Sequence, residues 1–235
     1  MATLNQIVAT IKNIYSGGIT KVDFPFRDAQ LAFMVDYHAA LLRKLDIDTK
    51  GYIDMSNIQD LGCQLLTKID AADCTLVNYG TDIKYVDIPP TLQLKKINAI
   101  EFFGSVDKTQ IIPFKDPSIV GYDKYILFKN KMALSASQIG TRIYVRGANA
   151  VDLCYVNIRG VFETPSQVVS CDSAGTQTCY DWDCPYPIGQ HLLTGFILPN
   201  GQYIQGLFER ILNGEMKLGI AREEFLQDDK QSNPV

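Results

Sequence analysis

The feature that most constrains this chain is a hydrophobic period that changes twice along its length. Leu4, Ile7, Val8, Ile11 and Ile14 recur at helical spacing, as do Leu31, Met34, Val35, His38, Leu41, Leu42 and Leu45. The pattern then becomes short runs rich in Ile, Val, Tyr and Phe, at residues 96–103, 110–114, 125–129, 132–136, 141–145 and 154–162. Helical spacing returns in Leu192, Leu193, Phe196 and Ile197, and again in Ile204, Leu207, Phe208, Ile211 and Leu212. A helix buries a stripe and a strand buries alternate residues, so one segment cannot serve both. This order predicts an α+β fold: N-terminal and C-terminal helices form one helical part around a central antiparallel domain resembling a β-sandwich or barrel.

Local signals set the boundaries. Thr3 and Gln6 make a capping-box pattern before the first helix, and Gly17-Gly18 end it. Pro25 stands where a second helix should begin, running over about residues 26–45, with Arg27, Asp28, Asp36, Arg43 and Lys44 mostly off its stripe. Residues 49–86 are mixed, and 58–66 are ambiguous with Gly62 inside them. Ile88-Pro89-Pro90 is a break, because proline stops both ladders and helices. Residues 122–128 could open with a helical turn, and Pro199-Asn200-Gly201 should interrupt the last helical region. The expected parts are a helical segment at 1–86, a β domain at 87–170, a cysteine-containing loop at 171–187, closing helices at 188–220 and a flexible tail at 221–235.

Hydrophobic residues make up 46% of the 235 and charged residues 20%, an ordinary globular balance. A net charge of −4 gives no global basic field for gripping nucleic acid. The opening residues carry Lys12 as their only charge and no signal-type apolar run, and no apolar stretch reaches the ~18 residues of a spanning helix. The chain therefore reads as cytosolic, with no membrane partner. In that compartment Cys63, Cys74, Cys154, Cys171, Cys179 and Cys184 are expected as reduced thiols.

The search for chemistry yields mostly negatives. A nucleophilic site would have to recruit His38, on a helix stripe, or His191, and no GxSxG elbow, P-loop or GxGxxG is present. Residues 46–54 imitate the front of a calcium loop through Asp46, Asp48, Gly51, Ile53 and Asp54, but Lys50 and Asn57 stand where oxygen ligands are needed. A polar turn ending the long helix is the plainer reading. Cys171, Cys179 and Cys184 are separated by seven and four residues, with His191 six further on, which is loose for structural zinc. A Cys171–Cys179 disulfide is a further alternative. Asp181-Trp182-Asp183 reads as a solvated loop or a subunit contact, and Arg142, Arg146 and Arg159 lack the interleaved aromatics of a nucleic-acid patch. No catalytic residue, metal or cofactor is assigned. Leu218, Ile220, Phe225 and Leu226, followed by an acidic polar stretch, look made to reach a neighbour, and with Trp182 they are the expected contact residues; a docked terminal helix with a frayed end is the equal alternative.

Several blocks of this sequence resemble the head-to-tail connector (neck ring) proteins of crAss-like and related podoviruses that infect Bacteroidetes. They are TLNQIVATIKNIYSGG, RDAQLAFMVDYHAALLRKLDID, IDMSNIQDLGC followed by Cys74, VDIPPTLQLKKINAIEFFGSVD, VNIRGVFETPSQVV and CYDWDCPYP. The resemblance implies a structural virion protein, assembled in the host cytoplasm as a ring of twelve copies below the portal. Its implied partners are itself, the portal protein, neighbouring tail or ring proteins, and genomic DNA passing without specific binding. Two other classes remain open from the residues: a metal- or thiol-dependent domain around Cys171, Cys179, Cys184 and His191, and a receptor- or carbohydrate-binding β module.

Overall fold

The computed structural model describes residues 2–18, 24–69, 83–116, 134–147, 150, 152–168, 170–171, 177–178, 182–198 and 201–216. Its fold is α+β, and the chain divides into two compact units. One, the helical unit, comprises Met1–Asn57, Leu94–Ile97 and Asp181–Val235; the other, the β unit, comprises Ile58–Gln93 and Asn98–Tyr180.

In the helical unit, α1 spans Leu4–Tyr15. Its capping box forms: Gln6 N–H donates to Thr3 Oγ1 at 3.2 Å, and Thr3 N–H to Gln6 Oε1 at 3.1 Å. Leu4, Ile7, Val8 and Ile11 are buried. The second helix, α2, spans Asp28–Lys50, two residues later at its start and five longer at its end than the sequence pattern predicts. It continues through residues 46–50 because Ile47 is still buried and Lys50 pairs with Asp46 one turn back. Gly51, at φ 78°, then closes it in the left-handed conformation that costs glycine least.

The later part of this unit departs from expectation. A five-residue helix, α3 (Gln190–Thr194), gives way to a hairpin of β10 (Gly195–Ile197) and β11 (Tyr203–Gln205); β1–β9 belong to the other unit. A single α turn, α4 (Leu207–Arg210), follows and runs into a π-helical turn at Ile211–Met216. Phe196, Ile197 and Ile204 thus lie in strands, not in the predicted helices. Gly195 ends α3 at φ 107°, and a Cβ there would collide with the Tyr203 hydroxyl, so the backbone turns into a ladder.

Among the described residues, the β unit holds two larger antiparallel sheets. One has the order β1 (Gln59–Leu65), β7 (Tyr155–Gly160), β4 (Ile100–Gly104). The other runs β2 (Thr67–Lys68), β3 (Ile83–Asp87), β6 (Arg142–Arg146), β5 (Ser135–Ile139). A short pair, β8 (Ser170–Cys171) and β9 (Gln177–Thr178), adds a third ladder. Leu61, Ile100, Phe103, Val156 and Ile158 of the first sheet share one apolar cluster with Val86, Ala136, Ile143 and Val145 of the second, a sandwich-like core. Only Leu66 separates β1 from β2, so one stretch of chain serves both sheets.

The predicted boundary at residue 86 moves to 57, because β1 pairs with β7 and β3, which carries β2 on its other edge, pairs with β6. Within the predicted strand at 96–103 only Ile100 onward is a strand; Leu94–Ile97 belong to the helical unit. Residues 110–114 contribute only isolated bridges, at Ile111 and Phe114. The run at 132–136 is displaced to Ser135–Ile139, while 122–129 and the tail at 221–235 lie outside the described residues.

Candidate assembly surface

The inner face of α2 carries charge. Asp36, Arg43 and Asp46 are buried beside Leu31, Ala32, Val35, Ala39, Leu42 and Ile47. The sequence pattern places Asp36 and Arg43 off the apolar stripe, and their burial is a correction with a clear cause. Tyr186, itself buried, donates its hydroxyl to Asp36 Oδ1 at 2.7 Å, and the Arg43 guanidinium donates through Nε to Ala39 O at 3.3 Å. Burial is the largest influence on Arg43 and pulls its pKa below the ordinary guanidinium value, with Tyr186 and Asp36 acting in the opposite direction. A buried charge persists only where such partners exist.

The far end of α2 is tied down in the same manner. Asp46 Oδ2 accepts from Lys50 Nζ at 2.9 Å and lies 3.3 Å from His191 Nε2. Asp48 Oδ1 accepts from the Lys95 N–H at 2.9 Å, and Asn57 Oδ1 from the Gly189 N–H at 3.2 Å. The residues that imitate a calcium loop therefore fasten the segments around 95 and 189–191 onto α2. Lys50, the cation that spoils the motif, supplies the charge that Asp46 needs. His191 also stacks edge-on against Phe196, with centroids 5.7 Å apart.

The acidic triplet has an equally structural role where it is described. The Asn5 N–H donates to Trp182 O at 3.1 Å, and Asn5 Nδ2 donates to Asp183 Oδ1 at 2.6 Å, so this loop covers the start of α1. Asp183 thereby places a carboxylate near a helix N-terminus, where it is favoured. The Trp182 side chain is half-buried. Leu218, Ile220, Phe225, Leu226, Asp181, Cys74 and Cys179 lie outside the described residues, as does the side chain of Cys171. Among the described residues no group of three or more His, Cys, Asp or Glu side chains could hold a metal ion, and no helix is long and apolar enough to cross a membrane.

In the β unit, the three arginines stand among partners. Arg142 donates to Asp87 Oδ1 at 2.6 Å and lies 4.6 Å from the Tyr85 ring centroid; Arg159 lies 3.7 Å from Glu101. Asp60 sits at the β1 bulge, where Gly62 takes φ 65°. Burial pushes its carboxyl up, but donation from Lys108, Gly62 and Asn157 outweighs this and holds the group below the usual carboxylate range.

The outer face of α2 is the reverse of the inner one. Phe33 is 70% exposed, Tyr37 53% and Leu41 41%, and they follow one another at four-residue steps, forming a line along the helix. His38 is half-buried, edge-on to Tyr37 with centroids 5.2 Å apart. Scattered exposed apolar residues are ordinary, whereas an aligned row on one helix is a candidate contact surface. The helical period in the sequence assigns Leu41 to the buried stripe and gives Phe33 and Tyr37 no place on it. The available signal was the pair of alanines, Ala32 and Ala39, which mark the side of close packing.

Comparison with known proteins agrees with a role in assembly. No curated protein matches the chain. The family model described as phage tail ring protein 2, from crAss-like phages, matches residues 6–197, which is most of its length. With charges fixed inside α2, an apolar row outside it and this match along both units, the chain belongs to the phage tail ring protein 2 family, a structural ring family of crAss-like phages.

Proposed function

We propose that this protein is the repeating subunit of a ring at the neck of the virion. In this reading twelve copies sit below the portal at the capsid vertex and join the capsid to the tail. The helical unit meets the portal and the β unit meets the next ring. The observation that carries this reading is the match to the ring family over residues 6–197. The exposed row on α2 supports it, because a ring subunit must offer apolar surface to its neighbours. A net charge of −4 suits a lumen through which duplex DNA slides, since a surface that does not neutralise phosphates does not hold them. Partner contacts are assigned to Trp182, Leu218, Ile220, Phe225 and Leu226.

Electron cryomicroscopy of purified virions, with quantitative mass spectrometry of the same particles, tests the proposal. The expected result is twelvefold density below the portal that accommodates both units, and twelve copies per particle. Absence from the virion, or a position away from the neck, overturns it.

A further inference from the structure

Along its outward side α2 presents cation, apolar row, cation. Arg27 is exposed at the N-cap, Phe33, Tyr37 and Leu41 follow, and Lys44 ends the series half-buried. At 3.6 residues per turn the last four fall within about 80° of one another, and Arg27 to Lys44 covers roughly 25 Å. Neither Arg27 nor Lys44 forms a salt bridge with another described residue. The acids of α2 are engaged elsewhere: Asp28 with Lys12, Asp36 with Tyr186, Asp46 with Lys50, and Asp48 with the Lys95 backbone.

The same sequence holds a segment of opposite chemistry in matching order. Residues 223–229 read Glu-Glu-Phe-Leu-Gln-Asp-Asp, an apolar pair between two acidic pairs. Extended, they span about 20 Å, close to the distance between the two cations. The segment follows the π-helical turn at Ile211–Met216, which packs against α2. The exposed row lies roughly 160° around the helix from the centre of its buried face. To reach its own row the segment would have to wrap around α2. A neighbouring copy presents the row directly, and a ring needs each subunit to offer two different, complementary faces.

We infer that Phe33, Tyr37 and Leu41, bounded by Arg27 and Lys44, receive residues 223–229 of the adjacent copy. Phe225 and Leu226 cover the apolar row, Glu223 and Glu224 face one cation, and Asp228 and Asp229 face the other. The inference rests on the ring reading and adds which surfaces close it.

The test uses the full chain with benzoylphenylalanine in place of Phe33, assembled as a mixture with isotope-labelled copies and irradiated. Cross-linked peptides should join position 33 of one copy to residues 223–229 of another. Arg27→Glu with Lys44→Glu should weaken subunit association about tenfold or more while leaving the circular dichroism spectrum unchanged. Reversing Glu223, Glu224, Asp228 and Asp229 to Lys in that background should restore association. Cross-links within one copy, or to another segment of an intact oligomer, overturn the docking and leave the ring reading standing. Oligomers unaffected by the charge reversal do the same. An unmodified chain that stays monomeric and is absent from virions overturns both.

Discussion

The two units handle charge differently. The β unit buries Lys84 beside its apolar cluster, with Nζ donating to Leu153 O at 2.6 Å, and places its arginines in exposed or half-exposed pairs such as Arg142–Asp87. The helical unit buries Asp36, Arg43 and Asp46 on one face of α2 and turns Phe33, Tyr37 and Leu41 outward on the other. A helix assembled by apolar burial alone would be rotated to hide its aromatics. The inner acids resist that rotation, because each has a partner outside the helix in only one register: Asp36 with Tyr186, and Asp46 with His191. Fixed orientation is a role that buried ionic groups fill in some folds, at the expense of stability.

Breaking the inner charges should therefore cost as much as opening an apolar core. Arg43→Ala is expected to destabilise the protein by about 3–5 kcal/mol, since it leaves Asp36 buried beside a lost cation. Phe103→Ala in the β unit should cost a similar ~3–5 kcal/mol by leaving a cavity. The two differ in their rescue. Asp36→Leu with Arg43→Met and Tyr186→Phe should recover most of the first loss in urea titrations, while no charge substitution repairs the second. A triple variant as unstable as Arg43→Ala would contradict this difference. Tyr186→Phe alone removes one donor to a carboxylate and should cost roughly 1.5–3 kcal/mol in the same titration.

A smaller effect sharpens the comparison by pH. The Asp60 carboxyl is held below its ordinary value, so its contribution is complete above the unfolded carboxylate pKa and lost as pH falls through the folded one. Asp60→Asn should flatten the acid limb of a stability–pH profile below about pH 4. The limb would keep its slope if the pairing with Lys108 made no difference. The smallest effect on stability belongs to Phe33→Ser, expected within about 0.5 kcal/mol of the parent because little of the ring is buried. Its consequence should appear in analytical ultracentrifugation as weaker association.

Sequence and structure agree where one physical signal dominates. The bounds of α1 follow from Thr3, Gln6 and an unbroken apolar period, and the run at 141–145 predicts β6, found at Arg142–Arg146, to within one residue at each end. They part where a distant residue decides. Gln59–Leu65 reads as ambiguous because Gly62 interrupts it, yet at φ 65° that glycine forms the bulge that keeps β1 paired with β7. Leu192, Leu193, Phe196 and Ile197 imitate a helix, and only Tyr203 closing over Gly195 makes a hairpin of their second half. The inner face of α2 was hidden for the same reason, since nothing near Asp36 announces that Tyr186 will meet it. The outer row is illegible because apolar residues on the two faces of α2 overlap in period, Leu41 lying next to Leu42.

The meeting of Asp36 with Tyr186 also sets a timetable. The two residues are separated by 150 positions, and the whole β unit is encoded between them. At ordinary synthesis speeds of about 5–20 residues per second, Asp36 is made roughly 8–30 s before the tyrosine that completes the interior of α2. During that interval its charges remain in water and its orientation is unset. A chain cut short before residue 186 cannot seat α2 in its final register, however well its β unit has folded. The orientation of the Phe33, Tyr37 and Leu41 row is thus set late in translation, after the β unit has been made.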